Sequence, residues 1–573
     1  MKGSELLLKA LKNAGVKYIF GYTGGAIMPV FDEMVKRGDF AYIKPRNEQG
    51  AAFMAQGLTR ASCSSKNPQI GICISTSGPG AMNLVTGIAD AMMDSIPLLA
   101  ITGQVAINVL GTDAFQENDV VGVMMPITKQ SYMPLTPEEI EETVYEALYI
   151  AKTGRGGPVS IDLPKNVQME EVNNNYKFNY KNYKPNLPGF YYNPIPDRTK
   201  IKESVSLINK SSRPIILGGH GIIQSNAGTK LLEFAKKTNI PIALTLHGIS
   251  AIPADHDLNL GMMGMHGTVE ANRAICNADL IIAFGMRFDD RVTGKLDEYA
   301  ENADVIHVEI DPSEIDKNVK TTIGINADTG KALDAFLEEP GLTTKPRHDW
   351  FSQIAEYRKE ISADLKSEIE KGVGSEGKLL MKTIIHRLSE ITKGNDIVVS
   401  DVGQHQMMTA RFYNFQRFNT WITSGGSGTM GAGIPMALGA RLARPNETVW
   451  CVCGDGGFQM NIQELGTIME YNLDIKIIIM NNGFLGMVRQ WQTLFFEGRF
   501  AGTPMKNPDF GIIAKAYGIT YEKVERKTDI DKAIKSAMNH KGANIIEFVC
   551  DPTELVLPMI PAGAGFEKMI TRV

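Results

Sequence analysis

The chain has 573 residues, 43% hydrophobic and 21% charged, and carries a net charge of -5. That length exceeds what one hydrophobic core supports, so two to four domains are expected, and the composition is that of an ordinary globular enzyme. No basic run is present, which argues against nucleic acid as the main partner, and no apolar run is long enough to span a bilayer, which argues against a membrane protein.

The opening MKGSELLLKALKNAGV reads as an amphipathic helix without the apolar stretch and cleavage site of a signal peptide. The six cysteines, Cys63, Cys73, Cys276, Cys451, Cys453 and Cys550, form no CxxC pair. They read as reduced core residues of a cytoplasmic protein, and His and Cys are not clustered as a zinc site requires. Strand-like and helix-like segments alternate, which predicts an α/β chain of parallel sheets covered on both faces. In the first block, residues 1–168, strands are expected at 18–20, 69–75, 98–102 and 159–162. Two glycine turns, Gly21-Tyr22-Thr23-Gly24-Gly25-Ala26 and Ser77-Gly78-Pro79-Gly80, lead from strand to helix on the edge where α/β sheets bind ligands. Glu48 follows Asn47, a plausible N-cap, and by itself satisfies a helix start. The apolar Ala51, Ala52, Phe53 and Met54 beside it would equally suit a carboxyl tuned for acid/base work.

A polar stretch over 171–198 reads as an extended linker. The second block, 195–337, has strand candidates at 214–217, 240–244, 280–284 and 305–310, and the charged segment 346–378 reads as a solvated helix and connector. The third block, 375–550, holds the most informative motifs, and a Pro/Gly-rich tail, 551–573, follows it. Gly426-x-Gly428-x-x-Gly431 follows a strand and precedes a helix, formally a dinucleotide fingerprint with Asp455 as its ribose-binding acid. That keeps a nicotinamide dehydrogenase open as a competing reading.

The strand at 449–453 ends in Gly454-Asp455-Gly456-Gly457; a helix is expected over about 461–471; the strand at 475–480 ends in Asn481-Asn482-Gly483. In a βαβ unit these two ends share one sheet edge, so a carboxylate and an amide oxygen converge there. Hard oxygens with room for water and phosphate suit Mg²⁺, and the glycines admit a diphosphate. The pattern resembles the metal-diphosphate motif of thiamine diphosphate (ThDP) enzymes, in which Met430 would be the apolar wedge under the cofactor; as ordinary structure it is a core methionine.

The whole chain resembles the acetohydroxyacid synthase (acetolactate synthase) large-subunit family. The resemblance rests on RNEQGAA, STSGPGAMNLVTGIADAMMDSIPLLAITGQV, GTDAFQE, GPVSIDLPKNVQ, GMHGTVEAN, FGMRFDDRVTGKL, VGQHQM, TSGGSGTMGAG, MVRQWQ and LPMIPAGAGFEKMI. It implies three doubly wound parallel-sheet domains: a ThDP pyrimidine-binding fold (1–168), a Rossmann-like FAD domain (195–337) and a ThDP diphosphate- and Mg²⁺-binding fold (375–550). It implies Glu48 as the cofactor-activating acid, with Gly25, Phe115, Gln116 and Lys165 lining the reaction centre from a neighbouring subunit. ThDP would meet Glu48, Gly78, Gln404, His405, Gly428, Met430, Gly454, Gly456 and Gly457. Mg²⁺ would be held by Asp455, Asn482 and the carbonyl of Phe484. FAD would meet Arg155, Gly218, His266, Arg287, Arg291, Glu309 and Asp328, and Met487, Val488 and Trp491 would line the acceptor side.

The implied reaction decarboxylates pyruvate and transfers the hydroxyethyl group to pyruvate or 2-ketobutyrate, as a homodimer or homotetramer with a small regulatory subunit. A pyruvate oxidase-like ThDP/FAD enzyme is the nearest alternative, and a non-catalytic paralogue a further one. Four positions depart from the family pattern: Thr23, Asn47, Ala106 and the run Asn326-Ala327-Asp328. Ala106 stands where the family commonly has proline, at a position tied to sulfonylurea resistance. Sulfonylurea inhibition is therefore expected to be weak and to strengthen in Ala106→Pro, read as a lower inhibition constant.

Overall fold

The computed structural model describes residues 1–173, 175–187 and 194–572. Residues 174 and 188–193, inside the expected linker, and 573, the end of the expected tail, lie outside the described residues. Among the described residues, eighteen strands form three six-stranded sheets, all parallel within each sheet. The first comprises β1 (Tyr18–Gly21), β2 (Ala41–Ile43), β3 (Gly71–Ser75), β4 (Leu98–Gln104), β5 (Gln130–Tyr132) and β6 (Pro158–Pro164), in the order β2-β1-β3-β4-β6-β5. The second comprises β7 (Pro214–Gly218), β8 (Ile242–Leu244), β9 (Asn259–Met262), β10 (Leu280–Phe284), β11 (Asp304–Glu309) and β12 (Ile323–Asn326), in the order β12-β11-β10-β7-β8-β9. The third comprises β13 (Ile397–Ser400), β14 (Trp421–Thr423), β15 (Val449–Gly454), β16 (Lys476–Asn481), β17 (Thr520–Val524) and β18 (Asn544–Val549), in the order β14-β13-β15-β16-β18-β17.

The first and third sheets thus share one topology. The middle sheet has the strand order of dinucleotide-binding folds, with its switch point between β7 and β10. The fingerprint-like Gly426-x-Gly428-x-x-Gly431 lies in the third sheet, which does not have that order.

Each sheet is buried on both faces, which explains its near-continuous apolar strands. Along β4, Leu98 and Ala100 enter one core while Leu99 and Ile101 enter another. Along β10, Leu280, Ile282 and Phe284 face one core and Ile281 and Ala283 the opposite one. The first and third sheets do not have separate cores on their facing sides: Phe20, Cys73 and Ala100 belong to the same buried cluster as Val399, Cys451 and Ile477.

Two helices, Glu48–Ser62 and Gly433–Ala443, lie inside this shared core. Their backbones touch. A Cβ on Gly57 would fall 2.0 Å from the Met436 carbonyl oxygen, and one on Gly439 2.0 Å from that of Met54. Only glycine permits that approach.

Several expectations shift. The helix expected over 461–471 is two, Asp455–Met460 and Leu465–Tyr471, separated by a turn of 3₁₀ helix at Ile462–Glu464. The break places Asp455 at a helix start rather than in a loop. The linker is not merely extended, since Phe178, Tyr180 and Tyr183 pack their rings on Tyr145 of the first unit. Cys73, Cys451, Cys453 and Cys550 are buried and all six thiols are free, but Cys276 is exposed, contrary to its core reading.

Gly57→Ala should destabilise the chain by about 1–3 kcal/mol, because two backbones rather than a flexible side chain must move apart. The expected readout is a thermal transition lower by roughly 3 °C or more.

Candidate active site

Two connected cavities lie at the carboxyl ends of the middle and third sheets. The smaller is lined by Gln404, His405, Gly454, Asp455, Gly456, Gly457, Asn482 and Phe484, among others. β15 and β16 are adjacent, with Gly454 paired to Met480, so their ends deliver Asp455 and Asn482 to one place. Asp455 Oδ2 accepts the Gly483 N–H at 3.1 Å and the Asn507 amide at 2.6 Å. Asn482 Oδ1 accepts the Phe484 N–H at 3.1 Å, and its amide nitrogen donates to Gln404 at 3.3 Å.

Burial pushes the Asp455 carboxyl up, a cost that a cation would offset. Among the described residues no three His, Cys, Asp or Glu side chains converge as a metal cluster. One carboxylate, one amide and a nearby carbonyl is the sparse donor set that suits Mg²⁺ shared with a diphosphate rather than a closed protein cage. Glycines 456 and 457 open the wall: a Cβ on Gly456 would meet Leu485 at 2.9 Å, and one on Gly457 would meet Asp401 at 1.6 Å. His405 is pushed down to about 3 by burial. It is therefore neutral, and its Nε2 accepts the Gly454 N–H at 3.2 Å.

The larger cavity, ≈ 1440 Å³, opens at the switch point of the middle sheet. Arg155, His266, Arg287, Arg291, Glu309 and Asp328 line it, and so do Gly428, Met430, Met487, Val488 and Trp491. Gly218 does not. It ends β7 behind the wall, against Leu244, and His220 and Gly221 line the cavity just beyond it. Asp328 also caps the helix Thr329–Glu338, accepting the Lys331 N–H at 3.0 Å.

Arg155 is held by Glu314 at 2.8 Å and by the Ser95 hydroxyl at 2.7 Å. Burial raises the Glu309 carboxyl to about 7, although it accepts the Ile310 N–H at 2.8 Å. Met430, Met487, Val488, Val402 and Gly403 line both cavities, so Met430 stands where they meet.

The remaining predicted residues gather elsewhere, at the carboxyl edge of the first sheet. Glu48 opens the helix Glu48–Ser62 behind Asn47, whose side chain accepts the Gln49 N–H at 2.9 Å. Its carboxylate is half-buried in the single chain rather than enclosed by apolar residues, and Oε2 accepts the Asn83 amide at 2.9 Å. A Cβ on Gly80 would lie 3.4 Å from Glu48 Oε1, and one on Gly78, at φ 57°, would lie 2.8 Å from the Gln116 carbonyl.

Gln116 has φ 62°, and Glu117 braces its loop by accepting the Gly111 and Ala114 N–H groups. Phe115 is 88% exposed. Lys165 follows β6, and Gly25 is exposed beside Gly24, which packs on Thr76. Gly25, Glu48, Gly78, Phe115, Gln116 and Lys165 line neither cavity. Sequence reasoning missed Asn507, Gln406, His220, His247 and Asp94. Asn507 lies in a loop with no motif, and the others come together from different sheets.

Three models of the thiamine pyrophosphate enzyme family match the chain: the N-terminal TPP binding domain at residues 1–123, the central domain at 201–336 and the C-terminal TPP binding domain at 401–548. A probable acetolactate synthase large subunit of Methanocaldococcus jannaschii is 42% identical, covering 100% of this chain and 95% of that protein. The acetolactate synthase isozyme 2 large subunit of Escherichia coli is 40% identical, covering all of both. Acetolactate synthase 1, chloroplastic, of rice is 40% identical over 99% of this chain and 88% of that protein.

His266 is pushed down to about 3, chiefly by burial and then by the Arg411 and Arg291 charges. An unfolded histidine takes up a proton near pH 6.5. Above that pH both states are neutral; as pH falls from about 6.5 toward 3, only the unfolded chain binds the proton and folding weakens. Relative to His266→Gln, the native chain should lose about 1.4 kcal/mol per pH unit across that window and nothing above pH 7, read from denaturant or thermal unfolding at several pH values. On its domain matches and end-to-end identities, the chain belongs to the thiamine pyrophosphate enzymes and, within them, to the acetolactate synthase large-subunit family.

Proposed function

We propose that the protein is an acetolactate synthase that condenses pyruvate with a second 2-keto acid, pyruvate or 2-ketobutyrate. The observation that carries this reading is the meeting of the two cavities around Met430, Met487 and Val488, with Asp455 and Asn482 in the smaller and Trp491 in the larger. ThDP supplies the nucleophilic carbon on which 2-keto acids are decarboxylated and joined.

The chain's own groups do the rest. Asp455, Asn482 and the Phe484 carbonyl hold Mg²⁺ and thereby the diphosphate, and Gly456 and Gly457 let the backbone approach it. Glu48 holds and passes a proton at Oε1, the oxygen that Asn83 leaves free. Met430, which lines both cavities, would give the cofactor an apolar support. Trp491, half-exposed beside Phe495, shapes the acceptor side.

FAD fits the larger cavity. The middle sheet has the dinucleotide strand order, three arginines line the walls, and the volume accommodates a ligand larger than a keto acid. Condensation of two keto acids has no net redox step, so FAD is structural here.

The domain reading follows: pyrimidine side at 1–168, FAD at 195–337, diphosphate and Mg²⁺ at 375–550. Glu48 and its neighbours line neither cavity of their own chain, and Phe115 and Met125 leave apolar surface exposed on that unit. A second copy brings that edge to the Asp455 cavity, which makes the active unit a homodimer or a homotetramer. Two of the three relatives are named large subunits, which supports a small regulatory partner. No helix of the described residues is long and apolar enough to cross a membrane, and six free thiols suit a reducing compartment such as the cytoplasm.

Incubation with pyruvate, ThDP, Mg²⁺ and FAD should yield acetolactate, measured as acetoin after acid treatment, and omission of ThDP or Mg²⁺ should abolish it. Glu48→Gln should lower kcat by roughly 10²- to 10⁴-fold while sparing folding. Acetate with stoichiometric flavin reduction would instead establish the oxidase.

A further inference from the structure

We propose that Asp94 is a positioning residue that couples occupancy of the larger cavity, which it lines together with His247, to the shape of the loop carrying Met430. The inference rests on reading that cavity as the flavin site and the smaller one as the ThDP site.

Asp94 is the C-cap of the helix Pro79–Met93 of the first unit, and its side chain is 1% exposed. It reaches the other two units. Oδ1 accepts the Gly426 N–H at 2.6 Å and Oδ2 the Gly425 N–H at 3.1 Å. Arg60 Nη2 donates to Oδ2 at 2.7 Å, and His247 Nε2 of the middle unit stands 3.1 Å from Oδ1. One helical turn earlier, Asp90 Oδ1 accepts the hydroxyls of Ser424 and, at 2.8 Å, Thr429. Two carboxylates one turn apart therefore hold both ends of the loop 424–429, and the next residue is Met430.

The junction is itself part of the cavity wall, since Asp94 and residues 425–428 line the larger cavity. His247 and His220 both line the cavity, their rings stacked with centroids 4.9 Å apart, and His220 Nδ1 lies 3.2 Å from the Asp94 carbonyl oxygen. The loop fits against this wall with no slack. A Cβ on Gly425 would fall 2.1 Å from His247 Nε2, and one on Gly426 3.0 Å from Arg287 Nη2. His247 and Arg287 cannot be pressed toward the loop without moving it, and the loop cannot move without breaking hydrogen bonds to Asp94.

Only a carboxylate can serve this position. Four nitrogen groups surround its two oxygens, and an asparagine would turn an NH₂ group toward at least one N–H donor. A ligand that fixes His247 and Arg287 therefore fixes the loop, and a ligand under which Met430 is seated fixes the wall in return. Such coupling is reciprocal: each ligand must tighten the other by the same factor.

The test is a binding cycle on the full chain. FAD is titrated by flavin fluorescence with and without ThDP and Mg²⁺, and ThDP is titrated calorimetrically with and without FAD. In the native chain each ligand is expected to tighten the other by the same factor, roughly 5-fold or more. In Asp94→Asn both ligands should still bind while that factor falls toward one. His247→Ala provides a second break from the cavity side, with the same expectation and no change to the carboxylate. His247→Gln, which keeps a side-chain donor, should restore part of the coupling. A native factor of one, or a factor unchanged in both Asp94→Asn and His247→Ala, would overturn the proposal while leaving the flavin assignment intact. Failure of the native chain to bind FAD saturably would overturn both.

Discussion

Arg60, Asp90 and Asp94 are charged groups taken out of water where the three sheets meet, and the arrangement of the molecule depends on their mutual satisfaction. Asp94 receives N–H donors from the third unit, a guanidinium from the first and the imidazole of His247 from the middle. Burial disfavours its charge, but His247 and Arg60 more than offset this and hold the carboxyl well below the usual range. Asp90, buried beside that charge, is pushed the other way, first by burial and then by Asp94. The two neighbouring carboxyls are thus shifted in opposite directions. A buried group of this kind is weak evidence for stability in itself, but removing one partner leaves an uncompensated charge. That makes the junction a constraint on how the units can sit.

The helix pair at the shared core acts in the same sense by packing rather than charge. Gly57 and Gly439 let two backbones approach until no side chain separates them, and the first and third sheets then close over one cluster of apolar residues. The first and third units are topological copies, yet their carboxyl edges do not face one cavity within the chain. Glu48 sits on one edge and Asp455 on the other, and the close packing of the helices holds them so.

Much of the local structure was legible beforehand. Apolar runs located β10 residue for residue and each other strand given an expected range to within two residues, because strands buried on both faces are continuously hydrophobic. The cap at Asn47 and the turn at Gly78 were readable, since caps and positive φ angles have residue-type signatures. Asp455 and Asn482 converge because adjacent parallel strands must end on one edge. Less legible were the seating of Gly218 behind the cavity wall, the half-open surroundings of Glu48 and the break in the helical run after Gly457. In each case the deciding neighbours, Leu244, Asn83 and the 3₁₀ turn beginning at Ile462, are packing details with no periodicity.

The sequence by itself determined the element types, the order of three α/β units and the family, and it brought Asp455 and Asn482 to one sheet edge, because period, turn chemistry and motif are local properties of the chain. Only the tertiary structure decided that the outer units share a core, that two cavities join at Met430 and that Asp94 binds three units together. Those facts depend on contacts such as Gly426 with Asp94 and Asn419 with Arg60, between residues more than three hundred positions apart. Such pairs are selected by volume, desolvation and hydrogen-bond satisfaction in the folded chain, and no local pattern encodes them.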